Sequence, residues 1–200
     1  MSTERATRRQ RGVTLIELVM FMVIVAIGLA GIIGVLRFTT HNSADPVRRK
    51  QALMIAEGLL EEVELARFTY CDPTDANADS ATAALQCAAI PEAFGQAGAE
   101  PAGPRPYDNV NDYVPAANQL TAAFDVDGVL SDANNNPMNV TGYSARVSIT
   151  PEALGPAGAT IGAAGNSADT EVLRIRVEVS YDDQTVALDG YRTRYAPNVQ

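Results

Sequence analysis

One junction constrains this chain more than any other feature. Arg8-Arg9-Gln10-Arg11-Gly12 runs straight into Val13-Thr14-Leu15-Ile16-Glu17. A basic leader ends on a glycine, and an apolar run opens at the next residue. From Leu18 to Leu36 no residue carries a charge. About 20 apolar residues, each rising about 1.5 Å, cross a hydrocarbon core of roughly 30 Å as a helix. Glu17 lies inside that stretch, where a carboxylate costs about 2.5–3.5 kcal/mol at mid-helix depth and less near an end. Such an acid calls for a partner, and the obvious one is a new α-amino group, released if the chain is cut after Gly12.

Two ordinary explanations compete. A secretory signal has a shorter apolar run and is cut after it, at small residues; here the glycine precedes the run. A simple signal anchor fits the hydropathy but gives Glu17 no role. Counting bases does not orient the helix, because Arg5, Arg8, Arg9 and Arg11 precede it and Arg37, Arg48, Arg49 and Lys50 follow it. The two cysteines, Cys71 and Cys87, bear on orientation instead. In an extracytoplasmic domain such a pair reads as a disulfide, worth about 3 kcal/mol for a loop of about 15 residues. Reduced thiols or half of a metal site are the alternatives. Zinc is disfavoured, since no third cysteine exists and the one histidine, His41, lies beside the apolar run.

The ordered elements of the junction, namely a basic leader, Gly12, Thr14-Leu15-Ile16-Glu17-Leu18 and an apolar helix, resemble the class III signal of type IV prepilins and type II secretion pseudopilins. The resemblance implies cleavage between Gly12 and Val13 by prepilin peptidase, N-methylation of Val13, and Glu17 as the assembly charge partner. It also implies insertion in the inner membrane before assembly, and contact with other pilin subunits through the N-terminal helix. Val13 departs from the phenylalanine usual at that position, a departure more common among minor subunits.

Beyond the junction, the first helix is expected from about Thr14 to Thr39. Ala26, Ala30 and Gly34 recur on one face suited to close helix contact. Asp45-Pro46 is a helix start signal, so the helix kinks or restarts there. From Val47 to Phe68 the pattern is amphipathic. Leu53, Ala56, Leu60 and Val63 form a stripe widened by Leu59 and Ala66, with Glu57, Glu61, Glu62 and Glu64 mostly off it. Residues 72–106 read as a long loop, and 151–169 as a Gly/Ala-rich excursion. Alternation from Tyr143 to Thr150 and from Leu173 to Tyr181 predicts two strands. A turn at Asp182-Asp183-Gln184 leads to a third run, Thr185 to Tyr195, closing a hairpin.

The expected fold class is therefore α+β: a long N-terminal helix, membrane-spanning in its first half and amphipathic in its second, on a C-terminal antiparallel sheet. The expected segments are leader 1–12, assembly helix 13–39, amphipathic continuation 40–70 and a periplasmic or extracellular β domain 71–200. The segment Arg49 to Glu62, with Phe68-Thr69-Tyr70-Cys71, Tyr107-Asp108-Asn109-Val110-Asn111-Asp112-Tyr113 and Gly142-Tyr143, resembles minor pilins of the mannose-sensitive haemagglutinin D and pilin V types.

Charge and motif content narrow the function classes. The whole chain is −9, and the leader carries four Arg and one Glu, so its loss leaves −12. With one lysine and no base–aromatic interleaving, nucleic acid is not an expected partner. Asp125-Val126-Asp127-Gly128 with Asp132 and Asn134-Asn135-Asn136 superficially suggests a calcium loop. Its glycine stands fourth rather than sixth, and its twelfth residue is Asn136 rather than Glu; turns use the same residues. Asn139-Val140-Thr141 is a formal glycosylation sequon expected to be accidental. No nucleophile–base pair and no phosphate-binding loop appear, so no enzyme, cofactor or metal is expected. The expected role is a minor subunit of a type IV pilus, acting in filament initiation or surface attachment. The alternative is a minor pseudopilin of a type II secretion system.

Overall fold

The computed structural model describes residues 12–41, 46–96, 103–157, 159–160, 162 and 170–194. The chain forms two compact units, Met1–Pro46 and Val47–Gln200. In the first, helix α1 (Leu15–His41) is the one regular element among the described residues. The helix cap expected at Asp45 lies outside the described residues, as do residues 1–11 of the expected leader.

The second unit is built on helix α2 (Pro46–Leu65) and five strands. Strands β1 (Asp125–Val126) and β2 (Val129–Leu130) form a small hairpin. Strands β3 (Ser144–Pro151), β4 (Val172–Tyr181) and β5 (Gln184–Thr193) form an antiparallel sheet in the order β3-β4-β5. The α+β arrangement expected from the sequence is the one observed. Alternation does what it predicts: Ala145, Val147 and Ile149 on β3, and Leu173, Ile175, Val177, Val179 and Tyr181 on β4, turn to one buried face. They share one core with Ala52, Ile55, Ala56, Leu59 and Val63 of α2. Asp182 and Asp183 have φ of 42° and 59°, the left-handed pair that a two-residue hairpin turn requires. At Gly190 the helix comes so close that a Cβ would collide with the Glu64 carboxylate.

The helix face differs from the sequence reading in one respect. Leu53 and Leu60 are only partly buried, whereas Ala52, Ile55 and Glu62 are buried. The face is rotated toward Glu62, which had been placed with the solvent-facing acids. The cause is Arg105. Its guanidinium lies against both Glu62 oxygens, Nε to Oε1 at 2.6 Å and Nη2 to Oε2 at 2.8 Å. It also donates to the carbonyls of Phe124 (2.9 Å) and Ser131 (2.7 Å). The Tyr113 hydroxyl completes the cluster with a 3.0 Å bond to Glu62 Oε1. Burial, then the neighbouring Glu62 charge, pushes that hydroxyl's pKa up.

Two further arginines tie the helix ends down. Arg48 at the start of α2 pairs with Asp182 of the β4–β5 turn at 2.6 Å and lies 5.0 Å from the Tyr143 ring centroid. This offsets the unfavourable dipole expected for bases at a helix N-terminus. Arg194, just past β5, sits between Phe68 and Tyr70, 4.1 Å from each ring centroid. The 72–106 segment read as a long loop contains a short 3-10 turn, Ala84–Gln86, and a second, Val110–Tyr113, follows it. In the second, Asp112 Oδ2 accepts the Asn109 amide at 3.2 Å, and Val110 and Tyr113 are buried.

Removing one member of a buried ion pair strands the other, at a cost of about 3–5 kcal/mol, whereas removing both costs much less. Glu62→Leu is therefore expected to lower unfolding stability strongly, and Glu62→Leu with Arg105→Met to recover a large part of the loss. Urea unfolding followed by circular dichroism compares the two; equal stability of single and double variants would contradict the pairing.

Candidate functional site: the N-terminal junction, the exposed helix and the disulfide loop

Gly12, Val13 and Thr14 lead into α1 without regular structure, and all three are exposed. Thr14 is positioned as the helix cap. Its Oγ1 accepts the amide of Glu17 at 3.4 Å, and its carbonyl accepts the amide of Leu18 at 3.1 Å. Thr14-Leu15-Ile16-Glu17 is thus a capping-box sequence, with the acid at the third helical position beside the positive end of the helix dipole. The sequence reading, which treated Glu17 only as a charge awaiting a partner, missed this local signal. The Gly12–Val13 bond therefore sits in accessible chain without regular structure, just ahead of a capped helix.

From Leu15 to Arg37 the helix is long and apolar enough to cross a membrane, and none of it is buried. Phe21 is 65% exposed and Ile27 69% exposed. Water would not tolerate such a surface; lipid or other apolar helices would. Gly28, Gly31 and Gly34 have nothing within 4 Å of where a Cβ would stand. A neighbouring helix could therefore approach that stretch closely.

The cysteines lie in the second unit, and they are joined, with Cα atoms 5.5 Å apart. The loop that they close is organised by Asp75. Its Oδ1 accepts the amides of Asn77 (2.8 Å) and Ala88 (3.0 Å), and its Oδ2 those of Ala89 (2.7 Å) and Ile90 (2.8 Å). Asn77 Nδ2 reaches the Gln86 carbonyl at 2.7 Å, and Gln86 Oε1 accepts the Thr82 amide at 2.7 Å. A segment without periodicity is thereby fixed by side-chain-to-backbone bonds, which no hydropathy pattern reveals.

The 125–136 segment is a hairpin followed by a turn. Asp127 and Gly128 take φ of 53° and 77° between β1 and β2. Asp132 Oδ1 accepts the amides of Asn134 and Asn136, each at 2.9 Å. Among the described residues no group of three or more His, Cys, Asp or Glu side chains is placed to hold a metal. His41 ends α1, and its side chain lies outside the described residues.

Residues 7–33 match the prokaryotic N-terminal methylation motif. No curated protein and no solved structure matches the chain. The match supports a prepilin-type protein, a type IV pilin or a pseudopilin, and is consistent with processing by prepilin peptidase and association with other pilins. It points to a structural protein, and together with the apolar helix it is consistent with membrane anchoring.

Four amide donors hold the Asp75 pKa well below the usual carboxylate range, near pH 4. A pKa lowered on folding gives stability that is present above the unfolded value and lost as pH falls through the folded one. Asp75→Asn is therefore expected to melt lower than wild type at pH 7, with the difference shrinking progressively below about pH 4. Thermal melts of both proteins from pH 7 to pH 2 test this; a pH-independent gap would show that the charge of Asp75 is not what organises the loop.

Proposed function

We propose that this chain is a minor subunit of a bacterial type IV pilus, acting in filament initiation or surface attachment. The observation that carries the reading is the methylation motif running directly into an apolar helix with no buried residue and Glu17 in its first turn. A helix of that kind is an assembly element, stored in the inner membrane and then transferred to a bundle of its own kind. Val13 in place of the usual phenylalanine favours a minor subunit. The disulfide and the long 72–106 and 151–169 segments favour a pilus over the more compact pseudopilins of type II secretion. The closed cystine also supports a C-terminal domain on the periplasmic and then the extracellular side.

In this reading the chemistry belongs to the processing enzymes and the assembly physics to the chain. Hydrolysis of the Gly12–Val13 bond frees an α-amino group, which receives a methyl group and remains cationic. Opposite charges about 4 Å apart attract by about 4 kcal/mol at an effective dielectric of 20. That is comparable to the cost of holding the Glu17 carboxylate in lipid. Docking beside the amino terminus of a neighbouring subunit removes the penalty, so a helix that is uneasy in the bilayer becomes settled in the filament.

Two measurements test the reading. The intact mass of protein from its native host is expected to lack residues 1–12 and to carry one added methyl group on Val13; an unprocessed leader in a peptidase-competent cell would overturn it. Glu17→Val is expected to leave the protein inserted, cleaved and disulfide-bonded, yet several-fold depleted in sheared filaments relative to membranes. Equal incorporation of wild type and variant would remove Glu17 from assembly.

A further inference from the structure

The cystine is not all that holds residues 71 and 87 together. The segments that carry them are paired through the backbone: Asp72 donates its amide to the Ile90 carbonyl at 3.0 Å, and Glu92 donates its amide to the Tyr70 carbonyl at 2.9 Å. Cys71 is also held by Thr69, whose Oγ1 donates to the Cys71 carbonyl at 2.6 Å and accepts from Asn109 Nδ2 at 3.0 Å. The three residues that follow Cys87, namely Ala88, Ala89 and Ile90, all donate their amides to the Asp75 carboxylate. Asp75 is itself buried and stands four residues past Cys71. One buried anion thus draws the chain after Cys87 onto the chain after Cys71.

None of these bonds involves sulfur, so each is open to the reduced chain. Bonds to an ionised acceptor are roughly twice as strong as neutral ones, which makes the Asp75 group the strongest part of the frame. The cysteines are 16 positions apart. Thiols at the ends of a flexible loop meet at an effective concentration of about millimolar; a loop fixed at both ends brings them together far more often. Cys87 Sγ lies 3.4 Å from the Tyr70 carbonyl oxygen, so a reduced Cys87 thiol standing there has an acceptor for its proton.

We infer that this noncovalent frame forms in the reduced protein and holds the two thiols apposed, with Asp75 as the positioning residue for closure of the disulfide. Exposure sets the order of events. Cys71 is fully buried and Cys87 half-buried, so a low-molecular-weight disulfide meets Cys87 first. The Cys87 thiolate, its proton lost to water, attacks one sulfur of that disulfide and expels a thiolate, leaving a mixed disulfide. The Cys71 thiolate then attacks Cys87 Sγ, expels the second thiolate and completes the cystine. Two protons go to water and two electrons to the incoming disulfide. Nothing in this sequence depends on the filament role.

The test uses the full-length protein in detergent, equilibrated at pH 7 with mixtures of reduced glutathione and glutathione disulfide. Acid quenching and alkylation then count open and closed pairs. Asp75→Asn, which keeps the size but loses the charge, is expected to lower the effective thiol concentration about tenfold, from the loss of charge-assisted bonds. Circular dichroism should show both proteins folded in both redox states. A residue that served overall stability alone would lower the melting point and leave this equilibrium unmoved, so equal effective concentrations would overturn the positioning role. Hydrogen exchange of the reduced wild type reads the frame without a variant. The amides of residues 88–90 are expected to stay protected, and exchange at the rate of unstructured chain would overturn the inference. In single-cysteine proteins, the Cys87 left by Cys71→Ser is expected to react with glutathione disulfide faster than the Cys71 left by Cys87→Ser; the opposite order would overturn the route.

Discussion

The second unit depends on a single guanidinium. Arg105 is 4% exposed, yet its donors reach α2 through Glu62, the approach to β1 through the Phe124 carbonyl, and the exit of β2 through the Ser131 carbonyl. Three segments far apart in sequence are thus registered against one planar group. Its cation also lies 5.2 Å from the Phe124 ring centroid. Burying such a pair gains little net stability, because desolvation consumes most of the attraction. What the pair supplies is specificity. Any other packing of the 103–131 segment on α2 would leave two charges and a tyrosine hydroxyl without partners in a dry site.

That interaction was hidden from the helix pattern. Glu62 sits in a run with Glu57, Glu61 and Glu64, and a run of acids reads as a solvated face. The informative signal lay on the partner: Arg105 is the only base between Arg67 and Arg146, in a stretch holding many acids. A solitary base in such surroundings has a dedicated anion. The strands were legible because alternation is a two-residue code with one buried face, and the β4–β5 turn because adjacent aspartates accept left-handed backbone. The loop from 72 to 96 was not legible in detail. Its order comes from Asp75 gathering amides that lie up to 15 positions away, which no local period encodes.

The N-terminal methylation motif was legible for the opposite reason. Its information is sequential: a base-rich leader, a glycine, a cap, an acid at the third helical position and an uninterrupted apolar run. Nothing there requires tertiary contacts, and every described side chain of α1 through Arg37 is exposed. Only the bond from the Glu17 amide to Thr14 Oγ1 needed coordinates to be seen.

The two units divide the physical work cleanly. The second closes its own core, ties down its own helix start through the Arg48–Asp182 ion pair, and staples its least regular segment with a cystine. The first buries none of its apolar surface within the chain, so its free energy is set by whatever surrounds it. In the proposed role those surroundings are lipid in one state and protein in another. In that role, Glu17 makes the response selective. Its charge is tolerated at the start of a capped helix, unfavourable in lipid and relieved by a cation at close range. One residue thereby favours the environment that supplies the cation over the one that does not.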